Sequence, residues 1–215
     1  TARVAAKALT LQNVIYIHFT RESATMTSCL LLIDVQESFR HRPYFTERDL
    51  PPYLAAQNAL IEGCVAQGIP VVRIFHVDGP RTVDNAFALE SGLVRPLTGL
   101  AEVEAAATFH KSRHSALVGT GLDVWLTQQG IRHLIVSGIR TEQCCETTTR
   151  HASDLGFAVD FVTDATLTFD MQLESGAPLR AADIKARTAT VLKGRFATLC
   201  SVAQSLDRAT APALA

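Results

Sequence analysis

From Ser28 onward, short continuous apolar runs alternate with longer helix-like segments, and this alternation restricts the fold more than any other feature of the chain. Runs without polar alternation are typical of strands that are buried on both faces of a parallel sheet. The sequence predicts an α/β fold with a mostly parallel sheet covered by helices on both faces. The predicted strands are 29–34, 71–76, 106–110, 133–137, 158–162 and 196–202, and the predicted helices are 51–67, 120–129, 142–155 and 180–192.

A length of 215 residues suits one α/β domain, which we assign to residues 28–207. Residues 1–27 are predicted to be an N-terminal extension, in which 14–19 resembles a strand and is too short for a signal-peptide core. Met26 leaves two alternatives open. Either it is the natural start and the preceding residues are additions, or those residues form an arm that packs on a neighbouring subunit. Residues 208–215 are predicted to be a frayed tail.

Charge and cysteine content exclude several classes of protein. A net charge of −1 with 19% charged residues argues against nucleic acid or an anionic membrane as the main partner. No apolar run approaches the roughly 18 residues that span a bilayer. The five cysteines show no C-x-x-C spacing, so neither a disulfide framework nor a structural zinc site is predicted. These features favour a cytoplasmic protein.

Three chemically distinctive residues follow predicted strands. Asp34 and Lys111 each come at the end of an apolar run, and Cys144 lies a few residues beyond another. The carboxyl ends of parallel strands share one edge of a sheet, where ligands bind. Asp34, Lys111 and Cys144 are therefore predicted to meet, and an acid, an ammonium and a thiol together are typical of a cysteine-nucleophile hydrolase. Taken singly, the acid could be a loop or capping residue and the lysine part of a solvated basic turn.

The adjacent cysteines Cys144 and Cys145 are predicted to differ in role. With Thr141 as N-cap, Cys144 falls in the first turn of a helix, where free backbone N–H groups favour a thiolate and can stabilise an oxyanion. Cys145 shares a helical face with Thr148, Thr149, Ala152 and Leu155 or Gly156, which is typical of a face turned toward the core. Cys144 is therefore the predicted nucleophile. The alternative is that both are buried cysteines, as is expected of Cys29, Cys64 and Cys200.

Several blocks of the sequence resemble the isochorismatase-like cysteine hydrolases, which include isochorismatase, nicotinamidase and N-carbamoylsarcosine amidohydrolase. The blocks are LLIDVQESF at 31–39, Lys111 with 115–117 and 119–122, SGIRTEQC at 137–144 continuing to Ala152 and Gly156, and Asp164 with Ala165. They occur in the order found in the family and cover nearly all of 28–202.

The resemblance implies a three-layer αβα fold around a mostly parallel six-stranded sheet. It implies that Asp34 is the general base, that Lys111 orients Asp34 and stabilises negative charge, and that Cys144 attacks the substrate carbonyl. It also implies a cis peptide between Ile139 and Arg140, with the amides of Arg140 and Cys144 facing the oxyanion. Family members are commonly dimers or tetramers, so a homo-oligomer is expected.

Two positions depart from the pattern of the family. Nicotinamidases carry a metal cluster built on an Asp-x-His pair after the second strand, whereas Asp78 here is followed by Gly79 and Pro80. No metal and no cofactor are therefore expected. Arg140 stands where smaller or uncharged residues are frequent, so it either binds a substrate carboxylate or points outward to a surface acid.

The sequence thus predicts a metal-independent hydrolase that cleaves a C–N bond of a small molecule through a thioester. The pocket walls are predicted to include Gln36, Phe39, His76, Arg140, Thr141 and Phe169. The closest alternative is vinyl ether hydrolysis of the isochorismatase type, which needs no cysteine. A nucleotide- or flavin-binding protein is disfavoured because no glycine-rich phosphate motif follows the first strand. A non-catalytic interaction protein on the same scaffold is a further alternative.

Overall fold

The computed structural model describes residues 6–11, 14–19 and 27–210. Near the N-terminus, β1 (Ala6–Leu11) pairs with β2 (Val14–Phe19) in an antiparallel hairpin. The strand predicted at 14–19 is therefore present. Met26 and the alternatives that concern it lie outside the described residues.

A six-stranded parallel sheet forms the centre of the domain, in the order β10-β7-β6-β3-β4-β5. Its neighbouring strands are parallel throughout. The predicted fold class is therefore confirmed. The strands are β3 (Ser28–Ile33), β4 (Val71–His76), β5 (Ala107–Lys111), β6 (His133–Ile139), β7 (Ala158–Leu167) and β10 (Thr198–Cys200), with a small separate pair formed by β8 (Met171–Gln172) and β9 (Pro178–Leu179).

Helices cover both faces of this sheet. They are α1 (Leu50–Ala66), α2 (Leu122–Gln128), α3 (Glu146–Asp154), α4 (Ala181–Leu192) and α5 (Val202–Ala209). Successive side chains of a strand point to opposite faces. Leu30 and Leu32 accordingly pack in the core cluster of α1 and α5, while Leu31 and Ile33 pack in that of α2, α3 and α4. This double burial explains the uninterrupted apolar run of β3.

The two largest errors in predicted strand length concern β7 and β10. The strand predicted at 158–162 continues to Leu167, because a register shift in β6 lets β7 resume pairing after the polar residues Thr163 and Asp164. The strand predicted at 196–202 is confined to Thr198–Cys200. Its last two predicted positions instead cap and begin α5.

Helix α5 is absent from the elements predicted by the sequence. Ser201 accepts from the backbone N–H of Gln204, and the Gln204 side chain accepts from the backbone of Ser201, which completes a capping box. The S-x-x-Q spacing is the local signal that marks this start. The predicted tail at 208–215 begins inside this helix, which ends at Ala209. None of the described helices is long and apolar enough to cross a membrane.

Candidate active site

Three strand ends place the predicted acid, ammonium and thiol at one edge of the sheet. Asp34 directly follows β3, and its φ of 54° is a left-handed conformation that turns the chain sharply at this point. Lys111 is the last residue of β5, and Cys144 lies in the turn after β6. Residues that are distant in sequence therefore become neighbours.

The Lys111 ammonium bridges the other two groups. Its Nζ lies 2.8 Å from Oδ2 of Asp34 and donates a hydrogen bond to Sγ of Cys144 at 3.2 Å. A carboxylate oxygen of Asp34 is within 4.8 Å of the same sulfur. Asp34 is fully buried, and Lys111 and Cys144 are 2% and 6% exposed. The structure thus brings the three predicted residues together in a site shielded from water.

Two further acceptors surround the ammonium. Lys111 Nζ lies 3.1 Å from Nδ1 of His76, at the end of β4, and donates to the backbone carbonyl of Arg113 at 3.0 Å. An ammonium has three N–H hydrogens, and here four acceptors compete for them. Donation to the sulfur therefore strengthens when Cys144 carries negative charge. His76, predicted as a wall residue, is in direct contact with the lysine.

Burial and charge act together on the acid and the lysine. Burial raises the pKa of Asp34, and the nearby Lys111 ammonium opposes that rise. Burial by itself lowers the pKa of Lys111, but the negative charge of Asp34 and the hydrogen bonds to Asp34 and Cys144 outweigh it and hold that pKa above its usual value. A carboxylate with a raised pKa is a stronger base than an ordinary aspartate, which suits a group that must remove a proton from a thiol.

The thiol of Cys144 is not a resting thiolate. Burial raises its pKa, and the negative charge of Asp34 raises it further, while Lys111 acts in the opposite direction. The expectation that a helix start favours a thiolate at Cys144 is therefore wrong, because burial and the charge of Asp34 outweigh the charge of Lys111. The thiol must therefore lose its proton as it attacks.

The segment that carries Cys144 is a π-helical turn, Thr141–Cys145, and not the first turn of an α-helix. The peptide between Ile139 and Arg140 is cis, as the resemblance implied. The carbonyl of Arg140 accepts from the backbone N–H of Cys145 at 3.2 Å. The prediction that Thr141 is the N-cap is wrong, because Arg140 occupies that position. Thr141 is buried and makes no capping hydrogen bond.

Cys145 faces the core, as predicted. It is completely buried, as are the residues that follow it on the same helical face, Thr148, Thr149 and Ala152. Leu155 or Gly156 was expected to continue this face, but both are exposed, since α3 ends at Asp154. Of the two adjacent cysteines, Cys144 is the one whose sulfur accepts a hydrogen bond from Lys111. The remaining cysteines, Cys29, Cys64 and Cys200, are buried, and burial raises the pKa of each.

Arg140 pairs with an acid inside the site. Its guanidinium lies 3.0 Å from Oε1 of Glu142, and the two side chains are only 7% and 11% exposed. The same guanidinium stacks on the ring of Tyr44 at 4.8 Å and donates to Oγ1 of Thr168 at 3.4 Å. This acid is nearly buried and is not the surface acid of the second predicted alternative, and binding of a substrate carboxylate by Arg140 stays a prediction.

The side chain of Gln36 links the end of β3 to the end of β4 through hydrogen bonds. Its Oε1 accepts from the backbone N–H of His76 at 2.7 Å, and its Nε2 donates to the His76 carbonyl and to Oγ of Ser38. Both amide hydrogens are therefore used within the protein. The side chain of Gln36 positions the strand end that carries His76, and its contact with substrate stays a prediction.

The aromatic wall residues pack against rings that sequence reasoning did not single out. Phe39 meets Phe87 edge-on at 5.2 Å, and Phe169 lies 5.4 Å from Tyr44. Phe87 comes from the long connection between β4 and β5, and no local pattern marks Tyr44. Tyr44 and Arg140 border a cleft of about 540 Å³ that is completed by Asp170, Met171, Gln172 and Pro178.

The residues at the centre do not suit a metal ion. Among the described residues, the group whose ligand atoms lie close enough together to hold one is Asp34, His76 and Cys144. The Lys111 ammonium already lies within 3.2 Å of an atom of each of them. A divalent ion placed there would meet this positive charge at contact distance.

Comparisons with known proteins identify a family and related structures. Residues 28–196 match the isochorismatase domain family. YrdC of Bacillus subtilis, an uncharacterized isochorismatase family protein, is 27% identical over 185 residues, which cover 83% of this chain and 94% of that protein. Nicotinamidase 3 of Arabidopsis thaliana is 42% identical over 72 residues, which cover 34% and 36% of the two chains. An isochorismatase-family crystal structure from Chromobacterium violaceum is 28% identical with a TM-score of 0.76, covering 88% of this chain and 96% of that one.

Proposed function

The chain belongs to the isochorismatase domain family and is a hydrolase, and we propose that it is a metal-independent cysteine hydrolase that cleaves a C–N bond in a small amide or carbamoyl compound. The observation that carries this proposal is the Lys111 ammonium in contact with both Asp34 and Cys144. This arrangement joins a base, a cation and a nucleophile in a buried site.

The first step joins proton transfer to attack. Asp34 takes the proton of the Cys144 thiol as the sulfur forms a bond to the substrate carbonyl carbon. As negative charge develops on the sulfur, one N–H of Lys111 shifts its hydrogen bond from Nδ1 of His76 to Sγ of Cys144. The backbone N–H groups of Arg140 and Cys144 are proposed to hold the oxyanion, in a site where loss of water strengthens such contacts.

The second half of the reaction restores the enzyme. The protonated Asp34 gives its proton to the departing nitrogen, the C–N bond breaks, and ammonia or an amine leaves behind a thioester on Cys144. Water, deprotonated by Asp34, then attacks the thioester carbonyl and releases the acid. The sulfur regains a proton from Asp34, so the enzyme returns to its starting protonation state. General acid–base help of this kind contributes roughly 10²–10⁴-fold to a rate.

Metal independence is part of the proposal. The place a metal would take is filled by the Lys111 ammonium, which supplies the positive charge that a Lewis acid would otherwise supply. Turnover is therefore expected to survive dialysis against a strong chelator. Activity that is lost to the chelator and restored by zinc, iron or manganese would contradict this part of the proposal.

A screen of small primary amides and ureido compounds tests the proposal directly. Ammonia release identifies substrates, and peptide mass spectrometry after rapid acid quenching should show the acyl mass on the peptide that contains Cys144. The matched Cys144→Ala variant should release no ammonia and carry no acyl group. Hydrolysis of a vinyl ether that persists in Cys144→Ala, with no amide turned over by the native enzyme, would favour the isochorismatase-type alternative instead.

A further inference from the structure

The charged groups around Cys144 are compensated in pairs. Lys111 is paired with Asp34, and Arg140 is paired with Glu142. Burial and the nearby Lys111 charge lower the pKa of His76 to about 4, so its ring is neutral at neutral pH. The inner site therefore holds equal positive and negative charge.

Arg42 also lies beside this site and has no paired acid among the described residues. Its guanidinium lies over the ring of Phe87 at 4.1 Å, and the residue is half-buried. Within the part of the chain that the structure describes, the guanidinium makes neither an ion pair nor a hydrogen bond. Stacking on an aromatic face holds an arginine in place and leaves its N–H groups available to a ligand.

The position of Arg42 links it to the catalytic groups. The Phe87 ring that supports it also meets the ring of His76 at 6.0 Å, and Nδ1 of His76 is 3.1 Å from Lys111 Nζ. Burial raises the pKa of Tyr44, and the charges of Arg140 and Arg42 both oppose that rise. Arg42 is thus close enough to Tyr44 and to His76 for its charge to act on each.

We propose that Arg42 binds the carboxylate of an anionic substrate while the scissile carbonyl lies at Cys144. This inference rests on the proposed function and adds a substrate class and the residue that selects it. A guanidinium with free N–H groups matches a carboxylate through two parallel hydrogen bonds. Arg140 is less suited to this role, because Glu142 already satisfies its charge and would repel a second anion.

Two alkylating probes test the proposal before any substrate has been identified. Iodoacetylglycine and iodoacetylglycinamide carry the same reactive carbon. The first ends in a charged carboxylate and the second in a neutral carboxamide. The ratio of their alkylation rates at Cys144, followed by peptide mass spectrometry, reports the preference for negative charge. Arg42→Gln should lower this ratio about tenfold or more, as expected for the loss of hydrogen bonds to a charged group.

Arg132→Gln is the matched control. Arg132 is exposed, precedes β6 at the opposite edge of the sheet, and loses the same charge on substitution. This variant should leave the ratio unchanged. Arg42→Lys keeps the charge but not the paired hydrogen-bond geometry and should give an intermediate ratio. In the native enzyme, about 0.5 M salt should lower the ratio through screening, which tests the charge effect even if Arg42→Gln folds poorly.

The outcomes separate the two proposals. An equal ratio in the native enzyme, Arg42→Gln and Arg132→Gln, with Cys144 alkylated in all of them, would overturn the role of Arg42 and leave the thiol nucleophile standing. No alkylation of Cys144 by either reagent would contradict the proposed nucleophile, and the assignment of Arg42 would fall with it.

Discussion

The Lys111 ammonium lies 2.8 Å from Oδ2 of Asp34, and both side chains are completely excluded from solvent. Each charge is tolerated there only because the other is present, since an unpaired buried charge carries a large desolvation cost. The pair therefore links catalysis to the stability of the fold.

Lys111→Met is expected to destabilise the protein by about 3–5 kcal/mol at neutral pH, because it leaves Asp34 as an uncompensated buried charge. The remaining carboxyl group would have a folded-state pKa above its unfolded value. The loss should therefore be small below the unfolded pKa of Asp34 and grow as the pH rises toward its folded pKa. Urea unfolding at acidic and neutral pH measures this difference.

The double variant Asp34→Asn with Lys111→Met is the control for this prediction. It removes both charges, so it should lose less stability at neutral pH than Lys111→Met alone. A double variant that is less stable than the single one would contradict the view that the two charges compensate each other.

Cys144→Ala is expected to lower kcat/KM by at least about 10³-fold while the protein stays folded, since the nucleophile is lost. Cys145→Ala should keep most of the activity and cost about 1 kcal/mol of stability through a small cavity in the core. Steady-state kinetics and thermal unfolding on both variants separate the two effects. An inactive but folded Cys145→Ala beside an active Cys144→Ala would reverse the assignment.

The rate is expected to fall in acid because protonated Asp34 cannot accept the thiol proton. Burial raises the pKa of Asp34, so the midpoint of this fall should lie above the usual aspartate value of about 3.9. The pH profile of Cys144 alkylation or of kcat/KM measures it. His76→Asn retains an acceptor for Lys111 and should keep this acid limb. A midpoint at or below that of a free aspartate would contradict the prediction.

Gly138→Ala is expected to cost about 3 kcal/mol or more, or to prevent folding. Gly138 has a φ of 133°, and an added Cβ would lie 1.9 Å from the carbonyl oxygen of Ile33. β6 and β3 would have to separate just before the turn that carries Cys144. Gly130→Ala is the matched control, with a φ of 69° and no atom within 4 Å of the added Cβ, and should cost only about 1–2 kcal/mol. Equal losses for the two variants, measured by urea unfolding, would refute the close-contact argument.

Sequence patterns predicted best those elements whose signal is local. The apolar run of β3 and the residue after it identified both a strand and Asp34, because burial on two faces and a change to a charged residue are both visible along the chain. The spacing of Cys145 and Ala152 likewise predicted their buried face. The end of β7 could not be predicted, since Thr163 and Asp164 interrupt the apolar pattern while pairing with β6 resumes beyond them.

The sequence by itself determined the α/β alternation and the candidate residues Asp34, Lys111 and Cys144, because strand ends and helix faces follow from periodicity. Only the tertiary structure decided which groups those residues meet. The contact of His76 with Lys111, the stacking of Arg140 on Tyr44 and the placement of Arg42 over Phe87 depend on loops and strands that approach from different parts of the chain. Such contacts leave no periodic trace, since their energy comes from burial and charge in the assembled fold.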